Sequence, residues 1–365
     1  MADRFTTRLY WMDALNVAAC FAVIMLHCST SVFLNTGNTR WFLDVVWQSI
    51  GIFAVPVFFM ISGANLIGYR SKYDTRTFLV KRFKRVITTL LLASVFFYIA
   101  NSAAISMLSG VSLNLSLRGF IGGLLQNKIC DVYWFFYEII GLYRVTPLLS
   151  YAAKNKRLIG GLLILSFVFA FLIPTLNRFL PPDLGVTAFS FPQPSYSLFY
   201  YLLGFYLVHC LDDSYPAWAY SFVALFSVVL MVVLTVHTNT GHGLGSEAGT
   251  LYDNFYAKAG SIIAAVYSVC FLRLFQKTNR VIGDSPAYPV IRKISSFSLG
   301  IYAVHMLVIN VMGLFAPHGM FFELVIRPFV VYLISFALIA CGEYLLTVLH
   351  RLFHRIQPLF GKELS

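Results

Sequence analysis

Charge is what this chain has least of. Only 12% of its 365 residues are Asp, Glu, Lys or Arg, about half the roughly 25% of an ordinary soluble domain. That shortage cannot clothe a chain of this size in water, so it excludes a soluble enzyme, a disordered chain and a DNA-binding module. The six cysteines give no disulfide framework. Cys20, Cys28, Cys210, Cys270 and Cys341 fall in or beside apolar runs, and only Cys130 is placed near a surface, with no partner. They read as small packing residues. No internal repeat of the kind that marks many transporters occurs, and no low-complexity segment. His237, His242 and His318 fall in outer loops without the spacing of a zinc site, so no metal is expected.

Long apolar runs are abundant instead. Hydrophobic residues make up 59% of the chain, with a mean hydropathy of +0.76. A helix needs roughly 20 mainly apolar residues to cross about 30 Å of hydrocarbon. The spacing predicts ten such spans, near 12–33, 44–68, 86–109, 132–150, 158–176, 195–211, 216–236, 255–275, 296–316 and 325–349. They do not alternate as barrel strands do, so the expected fold is an all-α polytopic membrane bundle. Residues 1–365 read as one membrane domain. The first run is too long for a signal-peptide core and has no small-residue cleavage site after it. Between spans three and four, Leu117, Phe120, Ile121, Leu124 and Leu125 recur at helical spacing, which predicts a re-entrant or interfacial helix.

The net charge of +12 is positional. Ten spans put both termini on one side. Most of the 27 lysines and arginines fall there, including Arg70, Lys72, Arg76, Lys81, Arg82, Lys84, Arg85, Arg292 and Lys293. That asymmetry follows the positive-inside rule and predicts cytoplasmic termini. The basic residues then face lipid and cytosol, and no nucleic-acid partner is implied.

Polar side chains inside a bilayer are expensive, so each is a candidate for function. Span one carries Asp13, Asn16 and His27. Asn16 and His27 are almost three turns apart, on one helix face and about 16 Å apart along the axis. An imidazole beside a polar cavity is a natural general base, although packing glue between helices explains such a histidine equally well. In Lys81-Arg-Phe-Lys-Arg85, abutting span three, Arg82 and Arg85 share a face and can fork onto one phosphate group. By charge alone the better explanation of that run is an anchor to anionic lipid. Trp134 lies in an aromatic belt, with Glu138 and Arg144 deeper, each expected to pair with another helix or face a cavity. Ser62-Gly63 marks close packing or backbone access. Ser298, Tyr302 and His305 follow one another along span nine, and Glu343 is a further buried carboxylate of span ten.

Taken in order, these pieces resemble the acyltransferase family 3 membrane proteins, which acylate cell-surface sugars. The resemblance rests on Trp11-x-Asp13 with His27, Ser62-Gly63, Arg82-x-x-Arg85, and Trp134-Phe-Phe-Tyr followed by Gly141-Leu-Tyr143 and Thr146-Pro147. Ser298-Leu-Gly-Ile-Tyr302-x-x-His305 completes it. It covers nearly the whole chain and matches a stand-alone type without a fused extracellular domain. It implies an O-acetyltransferase of the bacterial cytoplasmic (inner) membrane. His27 would be the base, with Asn16 and Asp13 beside it, and Arg82, Arg85 and Lys81 would hold the phosphates of acetyl-coenzyme A, the acyl donor. The implied acceptor is a hydroxyl of a cell-surface glycan or lipid-linked saccharide. Two positions depart from the family pattern. Asn16 stands where Arg or Lys is usual, eleven positions before the histidine. Glu138 stands four rather than five positions after the tryptophan, so its role is not carried over. The same membrane domain also resembles the transporter half of membrane-bound serine racemases, which keeps a small-molecule transporter as the alternative; a scaffold in glycan assembly is disfavoured by the two buried histidines.

Overall fold

A computed structural model of the chain describes residues 9–109, 115–181, 184–186, 195–240, 252–315 and 319–360, with 105, 108–109 and 352–360 described by their backbone alone. His242 and His318 lie outside these residues. Among the described residues there are helices and turns and no strand. The elements are α1 (Tyr10–Cys28), α2 (Thr39–Gly51), α3 (Ala54–Leu66), α4 (Thr75–Ser109), α5 (Leu117–Leu125), α6 (Trp134–Ala152) and α7 (Lys156–Phe167). They continue as α8 (Ile173–Phe179), α9 (Tyr196–Phe205), α10 (Ala217–Thr240), α11 (Ile262–Lys277), α12 (Asn279–Gly283), α13 (Tyr288–Phe315) and α14 (Arg327–Phe360). Three π-helical turns join the system: Val168–Leu172 links α7 to α8, Tyr206–Cys210 extends α9, and Phe322–Ile326 leads into α14.

Among the described residues, seven stretches are long and apolar enough to cross a membrane: Tyr10–Leu34, Thr39–Ser71, Thr75–Ala104, Lys156–Phe179, Ala217–Thr240, Tyr288–Phe315 and Phe322–Arg351. The protein is a multi-pass helical membrane protein. The expected spans 132–150, 195–211 and 255–275 fall on shorter or more polar helices. α6 carries Glu138 and Arg144 within 19 residues, and α11 has 16 residues, about 24 Å at 1.5 Å per residue. The chain before α11, expected to be in a span, is a turn, with the Ala259 carbonyl accepting from the Tyr200 hydroxyl at 2.7 Å. His237, expected in a loop, belongs to the last turn of α10.

Span two is two helices, broken between Gly51 and Ala54. Pro56 sits in the first turn of α3, where a missing N–H is harmless. α4 starts at Thr75, well before the expected boundary at 86, because Asp74 caps it. The Asp74 carboxylate accepts from the Thr77 amide at 2.8 Å and from the Thr77 hydroxyl at 2.9 Å. Those two bonds hold its carboxyl below the usual carboxylate range, so the cap is complete at neutral pH and is lost as pH falls through that lowered value. Lys81 through Arg85 are consequently residues of the helix itself. Phe78 anchors that first part of α4, fully buried and stacked on Tyr69 with ring centres 4.2 Å apart.

α1 is the central helix, packed against α2, α3, α11, α13 and α14. Leu15 and Ala19 are fully buried along it. α3 and α9 cross at a contact made possible by two glycines. A Cβ at Gly63 would lie 1.7 Å from the Tyr201 carbonyl oxygen, and one at Gly204 would lie 2.0 Å from that of Met60. Small residues let membrane helices approach backbone to backbone, which supplies dispersion contact where lipid offers no hydrophobic force. Just beyond the crossing, His209 Nε2 lies 2.8 Å from the Ala64 carbonyl.

Because the obstacle at both glycines is backbone, Gly204→Val must pry α3 from α9. The expected cost is about 3 kcal/mol or more, seen as loss of monodisperse protein in detergent size-exclusion and a lower thermal midpoint. A variant as stable as wild type would mean the crossing is not tight.

Candidate active site

The sequence places its basic run, its span-one polar residues and the Ser298–His305 segment far apart along the chain. The fold brings most of them to one cavity of about 530 Å³, within the range of small-molecule sites. α1 contributes Asp13 and Asn16, α3 contributes Ser62 and Asn65, and α4 contributes Arg82 and Arg85. Ser295, Ser298 and Tyr302 of α13 form the facing wall. Lys72 and Tyr73, before α4, and Arg292, at the start of α13, complete the mouth. Lys72 and Arg292 are not singled out by the sequence, where they are ordinary members of the positive set, and nothing in the spacing points to Tyr73.

The electrostatics are lopsided. Lys72, Arg82, Arg85 and Arg292 line the cavity, and among the described residues Asp13 is its only carboxylate. Asp13 accepts from the Tyr288 hydroxyl at 2.7 Å and the Ser295 hydroxyl at 2.9 Å. Among the described residues none of the four cations makes an ion pair. Arg82 donates to the Tyr73 hydroxyl at 3.3 Å, and its Nε is buried with no hydrogen-bond partner among the described residues. A buried, unmet guanidinium N–H is costly unless an acceptor arrives. Four unpaired cations around one mouth fit an acceptor carrying several negative charges, such as a polyphosphate.

Asn16 points into the α1–α13 seam. Its Nδ2 lies 3.0 Å from the Ser295 carbonyl, the Ser295 hydroxyl and the Ser298 hydroxyl. One turn on, the Cys20 thiol donates to the Ser298 carbonyl. A neutral amide thus joins the two helices, while the cations come from α4, the chain before it and α13.

His27 and His305 are absent from the lining of this cavity and stand behind it. Tyr302 is the partition. Its ring lines the cavity and lies 5.5 Å from the His305 ring, which lies 5.2 Å from that of His27. The Tyr302 hydroxyl donates to the Val132 carbonyl, and the Tyr133 hydroxyl donates to the Ala303 carbonyl at 2.9 Å, so the partition is tied from both sides. His305 is fully buried, with Nδ1 2.6 Å from the Tyr302 carbonyl. A carbonyl only accepts, so Nδ1 carries the proton and Nε2 presents a lone pair. That Nε2 is buried with no hydrogen-bond partner among the described residues.

Other sequence candidates lie elsewhere. Lys81 is exposed and sits over the Tyr73 ring at 5.2 Å, outside the cavity lining. Glu138 accepts from the Ser197 hydroxyl of α9 at 2.6 Å. Trp134 packs on Phe59, Phe135 and Tyr196. Arg144 is exposed on the same outer face of α6 as Val145 and Leu148, and among the described residues it has neither a helix partner nor a cavity. Its long stem can carry the guanidinium toward the headgroups. Glu343 is exposed rather than buried, and accepts from Lys293 at 2.9 Å. Both corrections have one cause: periodicity identifies a helix face but not what that face meets. The described cysteines are all free, and no group of three or more potential metal ligands occurs among the described residues.

The family model for the acyltransferase 3 domain matches residues 9–348. The chain belongs to acyltransferase family 3. No curated protein and no solved structure matches it. The match spans both walls of the cavity and the histidine pair behind Tyr302.

The Asn16 amide is the polar joint between α1 and α13. Asn16→Ala is expected to lower stability by about 1–3 kcal/mol, read as a reduced thermal midpoint in detergent. An unchanged midpoint would show that water replaces the amide without loss.

Proposed function

We propose that this family 3 protein is a membrane O-acetyltransferase. It moves an acetyl or other short acyl group from cytoplasmic acyl-coenzyme A to a hydroxyl of a cell-surface or lipid-linked glycan, in the cytoplasmic membrane of a bacterium. The observation that carries the reading is the cavity with four cations that make no ion pair among the described residues and a buried, unmet Arg82 Nε, ending at the partition in front of two adjacent histidines. The positive-inside distribution supports a cytoplasmic mouth and termini and ten crossings.

On this reading Arg82, Arg85, Lys72 and Arg292 hold the phosphates of the donor, and its pantetheine arm runs inward past Ser298 and Tyr302. His27 takes the proton of the acceptor hydroxyl as that oxygen attacks the thioester carbonyl. The carbon–sulfur bond breaks, the proton passes to the departing thiolate, and ester and free coenzyme A result. His305 presents a lone pair toward the same site and needs no metal partner to do so. Asp13 and Asn16 shape the cavity by fixing α13 against α1.

Two experiments test this. His27→Ala should reduce acyl transfer by about 10²–10⁴-fold with the protein still inserted, read by mass spectrometry of surface glycans from cells carrying either form. Acetylation that persists would remove the enzyme reading and leave small-molecule transport. Replacing both Arg82 and Arg85 by alanine should weaken acyl-coenzyme A binding by about 100-fold, measured calorimetrically in detergent. Wild-type affinity would return the basic run to a lipid anchor.

A further inference from the structure

A second cavity, of about 430 Å³, lies between α4 and α5. Along α4, Tyr98 is thirteen residues beyond Arg85, about 20 Å at 1.5 Å per residue. The second cavity is therefore near the opposite end of the bundle from the cationic mouth. Its chemistry is also opposite. Tyr98, Asn101 and Ser102 form one wall, and Gln126 and Lys128 stand at the turn after α5. Among the described residues no carboxylate lines it, and the one cation, Lys128, donates to the Gln126 side chain at 2.7 Å. The Asn101 carboxamide and the Ser102 hydroxyl make no hydrogen bond among the described residues. They leave an amide and a hydroxyl able both to donate and to accept.

The α5 wall has no side chains at all. Gly119, Gly122 and Gly123 recur at helical spacing and face the cavity. A Cβ at Gly122 would find nothing nearer than the Gln126 side-chain nitrogen at 3.9 Å, so the space in front of it is open. On its outer side α5 exposes Leu117, Ile121 and Leu125. Phe96 and Ile99 of α4 are exposed on the adjoining stretch. A polar recess is thereby bordered by apolar surface at a membrane edge.

We infer that this recess is a binding site for a saccharide ring, the headgroup of a membrane-anchored lipid whose tail lies along the exposed apolar residues of α4 and α5. Neutral donors and acceptors in pairs suit the hydroxyls of a sugar. At Gly122, where no side chain intervenes, a flat ring can approach the backbone; the Tyr98 hydroxyl and Ile129 already lie over Gly119 and Gly123. A phosphate would select the four-cation cavity instead. The chain leaving the recess runs on to Val132, whose carbonyl accepts from Tyr302, and the Tyr137 hydroxyl ties α6 to the Leu124 carbonyl of α5. The inference rests on the acyl-acceptor reading above and deepens it, because it locates the acceptor side.

The test uses the full-length protein in nanodiscs of phosphatidylethanolamine and phosphatidylglycerol, with a diazirine-tagged octyl glucoside as the probe. After photolysis, peptide mass spectrometry is expected to place the label on residues 98–102 or 119–129. Octyl glucoside should compete it away, and octyl tetraoxyethylene, with the same tail and no sugar, should not. Gly122→Trp fills the recess with a side chain that meets open space, and should reduce labelling to the level of protein-free discs. Gly122→Ala, which favours the helix, should remain labelled and reports folding. Free glucose at the same concentration should compete far more weakly than octyl glucoside, and equal competition would overturn the placing of a lipid tail along α4 and α5. Equal competition by octyl tetraoxyethylene, or full labelling of Gly122→Trp, would overturn the inference. Acyl-coenzyme A binding by the same samples is read separately. If it fails while labelling is specific, the donor assignment falls and the saccharide site stands.

Discussion

The seam between α1 and α13 is the constraint on which the site depends. Lipid tails are as apolar as leucine, so nothing resembling hydrophobic collapse drives two membrane helices together. Here the seam is joined by polar ties at three residues of α1. Asp13 accepts from Tyr288 and Ser295, Asn16 lies against Ser295 and Ser298, and Cys20 donates to Ser298. The same alignment sets His27 beside His305 two turns farther on. One register between two helices therefore fixes both the wall of the cationic cavity and the histidine pair behind it.

The second constraint is the insulation of those parts from each other. Tyr302 separates the cavity from the histidines and is held by the turn before α6, whose Val132 carbonyl accepts from Tyr302 and whose Tyr133 hydroxyl donates to Ala303 beside it on α13. On the reading proposed, a charged, hydrated donor binds where solvent screens its phosphates, and only a thin arm enters the drier interior. Low dielectric near the histidines strengthens every charge interaction that develops during transfer. The same separation explains why the cations need no carboxylate partners. Near the mouth an unpaired guanidinium is partly solvated, so its cost without ligand is modest, while Arg82 Nε, already buried, is the point most improved by an incoming oxyanion.

The departure at Asn16 has a structural account. The amide is engaged by α13 rather than directed at the mouth, and Lys72 and Arg292 supply cations from elsewhere. The pairing of α3 with α9 through Gly63 and Gly204 shows the same economy of side chains. In both places backbone-scale proximity between helices does the positioning, and the side chains that remain are free for ligand.

The sequence by itself determined the membrane class, the all-helical architecture and the family. Low charge and long apolar runs admit few other solutions, because an unsatisfied backbone in hydrocarbon is too costly for anything but helices or closed barrels. It also put Asn16 and His27 on one face, since 3.6 residues per turn is a local property of the helix. Only the tertiary structure decided what that face meets. It placed Arg82, Arg85, Lys72 and Arg292 around one mouth, left Lys81 and Glu138 outside it, and turned Arg144 and Glu343 outward. Helix rotation about its axis, and which helix lies alongside, are set by contacts between residues hundreds of positions apart. No local spacing encodes them.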